Sequence, residues 1–468
     1  IVMPMSIEAV SAYLATIWLG GAVVSIADSF APHEIATRLR IGDADLVVTQ
    51  DVIRRSDKVL PMYERVVASG APAIVSVDTG AGVPLRPQDL TWQTLMNAPP
   101  SVEPVICSAG DHINILFSSG TTGDPKAVPW TQATPLKAAM DGHFHQDIHP
   151  SDVVAWPTNL GWMMGPWLIF ASMINGASMA LYDDIPTGRG FAEFIGDARV
   201  TILGVVPSLV SAWRANGATD GVDWSAIRLY SSTGEASDPA DMGWLMDVAG
   251  GKPVIEYCGG TEIGGGYITG TVLQDAVPGT FTTPSLGLDI RLLDDKGSPA
   301  PVGEVFLVPP SIGLSDTLLN RDHHLVYFDG LPAADVPLRR HGDQMEALEG
   351  GRYRALGRVD DTMNLGGIKV SSAEIERAAS AVPGITECAA IGARPPGGGP
   401  SRLVLYVVLA PGVTQSVDVI RTAIQTAIRA DLNPLFKVDD VVIVDQLPRT
   451  ASAKVMRRSL RAAYSETR

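Results

Sequence analysis

The sequence predicts an α/β protein with a large N-terminal domain of parallel β-α-β layers, a small β-rich subdomain and a smaller α+β C-terminal domain. Three observations lead to this fold class. Helix-like and strand-like segments alternate through the first half of the chain, which is typical of parallel sheets. From about Pro278 two strand-like segments flank a turn, and beyond residue 360 a compact mixture of helices and strands follows.

The alternation begins at the start of the chain. Ser6 can cap a helix that stops at Gly20 and Gly21, and the apolar residues 22–26 follow as a strand. Helix Pro32–Ile41 and strand 45–49 repeat the pattern. Further segments of the same kind are strands at 73–77, from Ile113, at 178–182, 200–206, 227–231 and 253–257, and a helix at 167–174.

The sequence pattern changes in the last part of the chain. Residues 294–297 form a hairpin-turn signal between strands 286–293 and 303–308. Helices at 372–380 and 416–429 and strands at 387–391, 403–409 and 441–444 follow. We therefore expect a large domain over residues 1–359 and a small domain over residues 360–468. Because the chain starts at Ile1 within a β-to-α pattern, we also expect residues upstream of it.

Composition excludes several classes of function. The 468 residues exceed what one hydrophobic core organises, and 46% apolar with 18% charged residues is typical of a folded protein. A net charge of −16 argues against a nucleic-acid-binding surface. Three scattered cysteines suit a reducing compartment, so we expect a cytoplasmic protein. No apolar run approaches the length of a membrane span.

A loop of small and hydroxylated residues follows the strand that begins near Ile113. Such residues offer hydroxyl donors, close backbone approach and one positive charge to an anion, here a nucleotide's phosphates. It is not a Walker loop, because residues 127–130 after its lysine read as extended chain rather than a helix. Alone, such a loop is more often a turn. Its candidate binding residues are Ser118, Ser119, Gly120, Thr121, Thr122, Gly123 and Lys126.

Four motifs in a fixed order carry a resemblance to a known family. They are Phe117-Ser-Ser-Gly-Thr-Thr-Gly-Asp-Pro-Lys126, Tyr257-Cys-Gly-Gly-Thr-Glu262, Gly342-Asp343 with Gly357-Arg358-Val-Asp-Asp361, and Pro448-Arg-Thr-Ala-Ser-Ala-Lys454. Through them the chain resembles the adenylate-forming acyl-CoA synthetases over essentially its whole length. Any one motif could arise by chance, but four in order are a strong signal.

The resemblance implies a set of catalytic and metal-binding residues. ATP, a carboxylic acid and CoA would be the substrates, with Mg²⁺ as cofactor. Glu262 would bind Mg²⁺ and Thr261 would touch the α-phosphate. Lys454 would bridge the attacking carboxylate and the α-phosphate as charge builds. The family usually has glycine before this lysine, whereas Ala453 stands here.

The same resemblance implies how the nucleoside is held. Asp343 would accept hydrogen bonds from both ribose hydroxyls, with Arg358 nearby. Residues Gly234, Glu235 and Ala236 would lie along adenine. The aromatic residue that usually stacks on adenine aligns with Cys258, and Tyr257 stands one residue earlier, so both are candidate adenine contacts.

Two domains would have to close on the substrates, because Lys454 lies in the small domain and most ATP contacts lie in the large one. The resemblance implies a mobile C-terminal domain that rotates about a hinge at Asp360. It would present Lys454 for adenylation and the face around Gly367 for thioester formation. Lys369 occupies the position of an arginine in acetyl-CoA synthetases.

The acyl pocket is predicted to be larger than that for acetate. Gly259 aligns with a tryptophan that floors the pocket of acetyl-specific relatives, so glycine should open a tunnel there. The predicted walls are Trp162, Met163, Met164 and Thr233.

The function predicted from the sequence is therefore an AMP-forming acyl-CoA synthetase, an acid-thiol ligase with a place in fatty acid metabolism. Two alternatives stand beside it. The acyl group could go to the phosphopantetheine of a carrier protein, since that acceptor ends in the same thiol as CoA. A non-catalytic nucleotide-binding module is the alternative of another class.

Overall fold

The structure is a computed structural model. It describes residues 1–56, 58–99, 103–118, 124–234, 237–294, 296–359, 362–365, 368–393, 401–448, 455 and 457–467. Within these ranges no helix is both long and apolar enough to cross a lipid bilayer.

The first part of the chain alternates helices and strands as the sequence predicts. Ser6 caps the first helix, where its hydroxyl accepts a hydrogen bond from the Ala9 amide at 3.2 Å. The elements are α1 Ile7–Trp18, β1 Val23–Val24, α2 Pro32–Ile41, β2 Leu46–Gln50, β3 Val52–Arg55, β4 Lys58–Pro61, α3 Met62–Ala68, β5 Ala73–Val77, β6 Leu90–Thr91, α4 Trp92–Met96, β7 His112–Ser118, β8 Lys126–Thr131 and α5 Thr134–Phe144. Strands β2, β5 and β6 pair in parallel, whereas β7 and β8 form an antiparallel hairpin.

The second part builds a seven-stranded sheet in the order β10-β9-β11-β12-β13-β14-β15. Its elements are β9 Val153–Ala155, α6 Met164–Ile174, β10 Ser178–Ala180, α7 Arg189–Asp197, β11 Ile202–Val205, α8 Pro207–Asn216, β12 Leu229–Ser232, α9 Pro239–Val248, β13 Val254–Gly260, β14 Gly265–Thr269 and β15 Thr283–Pro284. The strands pair in parallel from β10 to β13, and β14 and β15 add an antiparallel edge. This edge places the β13–β14 turn beside the following subdomain.

The β-rich subdomain is a four-stranded antiparallel sheet in the order β16-β17-β18-β19. Its elements are β16 Asp289–Leu293, β17 Val302–Val308, α10 His323–Tyr327, β18 Arg339–Leu348 and β19 Arg352–Arg358. The predicted hairpin between β16 and β17 is confirmed.

The C-terminal part combines a hairpin, a three-stranded sheet and helices. Its elements are β20 Thr362–Leu365, β21 Ile368–Ser371, α11 Ser372–Ser380, β22 Ile385–Ala393, β23 Arg402–Leu409, α12 Val417–Asp431, β24 Val438–Ile443 and α13 Arg457–Thr467. Strand β23 pairs antiparallel with β22 and parallel with β24. Its core is a cluster of apolar side chains that lie between positions 363 and 441, among them Met363 and Val441. Trp162 of the large part packs against this cluster. The predicted α/β architecture with an α+β C-terminal part is confirmed, while the boundary at Asp360 lies outside the described residues and stays a prediction.

Candidate active site

Three separate sheets bring the described candidate residues to one cavity of about 2440 Å³. These residues are far apart in the sequence and share only their position on its wall. They are Ser118, Lys126, Trp162, Met163, Met164, Thr233, Gly234, Tyr257, Cys258, Gly259, Thr261, Glu262 and Asp343.

The phosphate-loop candidates stand at the open end of the β7–β8 hairpin. Ser118 pairs with Lys126 across the two strands, so the loop leaves and re-enters the sheet at adjacent points. The Ser118 hydroxyl is buried and has no hydrogen-bond partner among the described residues. Lys126 Nζ lies 5.3 Å from the centre of the Tyr327 ring. An unpartnered hydroxyl beside an ammonium group suits an anion, since each can bind a phosphate oxygen. Residues 119–123 lie outside the described residues, which leaves Ser119, Gly120, Thr121, Thr122 and Gly123 as predictions.

Asn320 anchors the returning end of this loop. Its Nδ2 donates to the Pro125 carbonyl at 2.9 Å, and its Oδ1 accepts from the Ala127 amide at 3.0 Å. Arg321 adds a hydrogen bond to the Asp124 carbonyl at 2.5 Å. The segment before helix α10 therefore fixes where Lys126 enters β8.

Glu262 occupies the turn of the β13–β14 hairpin rather than the start of a helix. The residue is only 7% exposed. The Ser315 amide donates to its carbonyl at 2.8 Å, and the Trp130 indole donates to the neighbouring Thr261 carbonyl at 2.8 Å. These two bonds tie the turn to the β7–β8 hairpin and to the β-rich subdomain. The carboxylate is thereby held at the junction of the three sheets.

Asp343 lies on β18 and is 8% exposed. Its Oδ2 accepts from the Tyr267 hydroxyl at 2.8 Å and lies 3.1 Å from His341 Nε2. Cys258 Sγ lies 3.7 Å from the same oxygen. Arg358 pairs with Asp343 across β18 and β19, and its side chain lies outside the described set. One oxygen of the carboxylate is thus oriented by protein groups.

A divalent cation at Glu262 fits the residues around it. Among the described residues, no group of three or more His, Cys, Asp and Glu side chains is arranged to hold a metal. The single buried carboxylate of Glu262 suits Mg²⁺, because this ion keeps several waters and takes phosphate oxygens as ligands. His341 Nδ1, 3.7 Å from Glu262 Oε1, is a buried atom that lacks a hydrogen-bond partner in the described part.

Tyr257 lies in the hydrophobic core, which does not support its predicted contact with adenine. Its hydroxyl donates to Asp141 Oδ2 at 2.6 Å, and its ring lies 5.6 Å from that of Trp167. Burial raises the pKa of this phenol well above its usual value. The neighbouring Cys258 is half-buried and directed towards Asp343. We therefore leave the Tyr257 ring out of the nucleotide contacts and keep Cys258 as the candidate.

A buried ion pair behind the β13–β14 hairpin has no counterpart among the sequence predictions. Lys137 Nζ lies 2.6 Å from Asp141 Oδ1, and their side chains are 0% and 1% exposed. Asp141 also accepts from the Gly266 amide at 2.7 Å and from the Ser285 hydroxyl at 2.8 Å. With the bond from Tyr257, this one carboxylate holds both strands of the hairpin.

Gly259 lines the cavity, but the close packing of the backbone also requires glycine at this position. A Cβ at this position would lie 2.0 Å from the Gly265 carbonyl oxygen. The β13–β14 ladder also shifts register between Cys258 and Gly259. A tryptophan here would require the two strands to separate. The expectation that glycine simply opens a tunnel is therefore incomplete, since close backbone packing also requires it.

The predicted acyl-pocket residues differ in their surroundings. Met164 is 8% exposed and belongs to the main core, and Met163 packs against that core. Thr233 follows β12, where its amide donates to the Val205 carbonyl at 3.2 Å. Trp162 packs against the C-terminal apolar cluster and lies 5.6 Å from the Phe30 ring. Met163, Met164 and Thr233 remain candidate pocket walls, whereas Trp162 stands where the two parts of the chain meet.

The predicted adenine segment follows β12 at Gly234, whose φ of 92° suits glycine. Glu235 and Ala236 lie outside the described residues. Beyond them, the Ser237 hydroxyl donates to Glu256 Oε2 at 2.8 Å, and the Gly279 amide donates to Oε1 at 3.2 Å. Burial raises the pKa of Glu256 to about 7. Glu256 thus anchors the chain directly after the adenine segment.

The C-terminal part presents its β20–β21 hairpin to the cavity. Met363 and Ile368, one on each strand, are among the lining residues. Gly367 between the strands, Asp360, Lys454 and the side chain of Lys369 lie outside the described set. Their predicted roles in rotation and catalysis therefore stay predictions.

The fold and the site together define an adenylate-forming type of enzyme, and comparisons with known proteins specify the family. Residues 1–307 match the family described as "AMP-binding enzyme", and residues 374–454 match "AMP-binding enzyme C-terminal domain". The chain belongs to this family, among the AMP-forming acyl-CoA synthetases, which use ATP, Mg²⁺ and CoA.

Two plant proteins and one solved structure illustrate the similarity. The chain is 51% identical to probable acyl-activating enzyme 17, peroxisomal, of Arabidopsis thaliana, and 49% identical to hexanoyl-CoA synthase of Cannabis sativa. Each alignment covers 99% of this chain and 67% of the relative, so the chain spans about two thirds of their length. The structure of acetoacetyl-CoA synthetase from Streptomyces lividans matches with a TM-score of 0.72 at 27% identity, over 97% of this chain and 72% of that one.

Proposed function

We propose that this chain activates a carboxylic acid larger than acetate as an acyl-adenylate and then transfers the acyl group to CoA, with the residue roles given below. The observation that carries the proposal is the meeting of Ser118, Lys126, Glu262 and Asp343 on one cavity wall. A phosphate-binding hairpin, a buried carboxylate for a cation and a ribose-binding carboxylate are what a Mg·ATP complex needs. The proposal covers the part of the longer relatives that this chain matches.

In the first step, a carboxylate oxygen of the acid attacks the α-phosphorus of ATP. The bond between the α-phosphorus and the bridging oxygen breaks, and pyrophosphate leaves with that electron pair. Ser118, Lys126 and the loop 119–123 hold the leaving phosphates. Thr261 contacts the α-phosphate, and Lys454 neutralises the charge shared by the two reacting anions.

Glu262 would hold Mg²⁺, which neutralises phosphate charge when it is bound. Asp343 has one oxygen held by Tyr267 and His341, and its other oxygen is proposed to receive the ribose hydroxyls. Gly234, Glu235, Ala236 and Cys258 form the adenine side of the site.

In the second step, the CoA sulfur attacks the acyl carbon after losing its proton. The bond from that carbon to the phosphate oxygen breaks, and AMP leaves. The position of Met363 and Ile368 on the cavity supports this step, because it places the strands that flank Gly367 in the sequence on the cavity wall. Rotation about Asp360 would exchange this face for Lys454, and Lys369 of β21 would add positive charge to the hairpin.

The size of the acyl group is argued from the cavity and from a relative. Met163 and Met164 supply flexible apolar walls, which suit an alkyl chain. The Cannabis sativa relative is named for hexanoyl-CoA, and it is 49% identical over 99% of this chain. We therefore propose a substrate of about six carbons, bound beside Gly259 and Thr233.

Carboxylate-dependent exchange of labelled pyrophosphate into ATP tests the function. We expect exchange with butyrate, hexanoate and octanoate at kcat/KM values at least about tenfold above that for acetate, because each buried methylene contributes about 0.8 kcal/mol. We expect Lys454→Ala to lower exchange by at least about a hundredfold through lost transition-state neutralisation. Lys252→Ala, on the loop after α9, is the matched control and should leave exchange unchanged.

The outcomes separate the alternatives. No exchange in the wild-type protein with any acid would leave a nucleotide-binding module. Exchange without CoA-dependent AMP release, but with transfer to a phosphopantetheine carrier, would favour the carrier-protein alternative. A clear preference for acetate would overturn the proposed acyl size and leave adenylation intact.

The compartment belongs to the proposal as well. Three scattered cysteines favour a reducing environment, and the sequence led us to expect the cytoplasm. The Arabidopsis thaliana relative carries the word peroxisomal in its name. We propose a reducing compartment for this chain.

A further inference from the structure

We propose that His341 is a positioning residue that couples the magnesium-binding and ribose-binding carboxylates of the nucleotide site. The assignment rests on the proposed function, since it gives Glu262 and Asp343 their roles. His341 stands two residues before Asp343 on β18, and its side chain is fully buried.

The imidazole lies between the two carboxylates. Its Nε2 is 3.1 Å from Asp343 Oδ2, and its Nδ1 is 3.7 Å from Glu262 Oε1. The first distance is that of a hydrogen bond, and the second is too long for one. Within the described part of the chain, Nδ1 has no hydrogen-bond partner at all. A buried polar atom without a partner is costly, so its position calls for a ligand.

Hydrogen-bond chemistry specifies what that ligand must offer. A carboxylate oxygen only accepts, so Nε2 carries the hydrogen that it donates to Asp343. Nδ1 faces Glu262 Oε1 across a gap of 3.7 Å, which one small polar ligand can bridge. A water molecule suits this position because it can hydrogen-bond to both atoms, and a magnesium ion held on Glu262 would bring such a water with it.

The surroundings hold the ring in this orientation. The Tyr267 ring packs against it with centroids 4.5 Å apart, and the Tyr267 hydroxyl donates to the same Asp343 oxygen. A Cβ on Gly260 would lie 3.3 Å from His341 Cε1 and 2.9 Å from Glu262 Oε2. Glycine at position 260 thus leaves room for the histidine and the glutamate to approach each other.

Two substitutions separate the two contacts of the ring. His341→Gln can place an amide donor near the position of Nε2 but has no polar atom at that of Nδ1. His341→Asn can place an amide oxygen near Nδ1 but cannot reach Asp343. Isothermal titration of the full chain with AMP in the absence of metal reports the ribose contact. Titration with α,β-methylene-ATP over a range of Mg²⁺ concentrations reports the metal contact.

We expect His341→Gln to bind AMP within about twofold of wild type but to need roughly tenfold more Mg²⁺ for half-maximal binding of the analogue. We expect the reverse for His341→Asn, with AMP affinity lowered about fivefold, as one lost hydrogen bond implies, and the Mg²⁺ midpoint kept. Parallel changes of both quantities in both variants, or an unchanged Mg²⁺ midpoint in His341→Gln, would overturn the assignment. Wild-type protein that binds neither nucleotide would overturn the proposed function itself.

A measurement on the wild-type chain tests the same inference even if the variants fail to fold. In protein labelled with ¹⁵N-histidine, the Nδ1 resonance of His341 should move when Mg²⁺ is added to the nucleotide complex. It should not move when Mg²⁺ is added without nucleotide at the same concentration. A resonance that ignores Mg²⁺ in the nucleotide complex would contradict the inference.

Discussion

At the scale of single residues, Glu256 combines full burial with three hydrogen-bond donors. The effect of burial outweighs the hydrogen bonds from Ser237, Gly279 and Ser232, and it raises the pKa of this carboxyl from its usual 4.5 to about 7. There is therefore a pH range in which the Glu256 carboxyl is protonated in the folded chain but ionised in the unfolded chain. This makes the group a pH-dependent part of the stability of the site.

We predict that Glu256→Gln removes one component of the pH dependence of unfolding. Between pH 4.5 and 7 the folded state binds more protons at this site than the unfolded state, so the wild-type contribution falls as pH rises. The difference in free energy of unfolding between wild type and variant should fall by about 3 kcal/mol across this range. Urea unfolding at several pH values measures it. Parallel pH profiles of the two proteins would contradict the prediction.

The candidate residues that the sequence identified are those that belong to motifs. Ser118, Glu262 and Asp343 were predicted because their neighbours in the chain repeat a family pattern, and the structure brings all three to one cavity. His341 and Asp141 were missed because part of their surroundings is distant in the sequence: Glu262 faces His341, and Tyr257 and Gly266 donate to Asp141. For His341 a signal was present, since it directly precedes Gly342 and Asp343.

At the scale of elements, the β13–β14 hairpin depends on one buried ion pair. Asp141 on α5 accepts from Tyr257 on one strand and from Gly266 on the other, and Lys137 compensates its charge. Removing one partner of such a pair leaves a buried charge without compensation. Loss of this ion pair is therefore expected to destabilise the hairpin whose turn carries Thr261 and Glu262.

We predict that Lys137→Met lowers the free energy of unfolding by about 3–5 kcal/mol, because it strands the buried Asp141 carboxylate. The exposed pair between Arg189 and Glu193 offers a matched control, since both side chains are 53% exposed. Arg189→Met should cost less than about 1 kcal/mol. Denaturant unfolding measures both, and similar small losses in the two variants would refute the role of the buried pair.

The boundaries of elements with clear end signals were predicted correctly to the exact residue, whereas the boundaries of other elements were not. Helix α2 begins at Pro32 as expected, and α11 spans Ser372–Ser380 as expected. Strand β13 was expected to end at Tyr257 but continues to Gly260, because pairing with β14 extends it through two glycines that carry no strand signal. The β3–β4 hairpin was missed, since its charged residues lack apolar alternation.

At the scale of the whole molecule, Trp162 joins the large part of the chain to the small one. Its ring packs against the cluster that contains Met363 and Ile368. Asn433 adds a hydrogen bond from its Nδ2 to the Ser29 hydroxyl at 3.2 Å. These contacts favour the arrangement in which the β20–β21 hairpin faces the cavity.

We predict that Trp162→Ala slows thioester formation and spares adenylation. Loss of the contact should cost about 1.4 kcal/mol, which lowers CoA-dependent AMP release about tenfold. Pyrophosphate exchange should stay within about twofold of wild type, because we propose that this step uses the face of the small domain that carries Lys454. Trp18→Ala, at a 54% exposed tryptophan on α1, is the control. An equal loss in both assays would count against a contact specific to the second step.

The domain division was predictable from the change in pattern along the chain, whereas the contacts between its parts were not. Trp162 was predicted as a pocket wall because its stretch of chain resembles the family's acyl- and CoA-facing segment, and no local signal indicates that it meets the C-terminal cluster. Such contacts depend on the relative placement of whole sheets.

The junction of three sheets also bears on how the protein is made. Ser118 and Lys126 emerge early from the ribosome, Glu262 much later and Asp343 later still, yet all three parts must meet to complete the proposed nucleotide site. Domains fold largely in the order of their synthesis. A nascent chain that ends before β18 can already contain the β7–β8 hairpin and most of the parallel sheet, but it lacks Asp343, which we propose to bind the ribose. Retention of nucleotide by ribosome-bound chains would therefore begin only after β18 and β19 have left the exit tunnel.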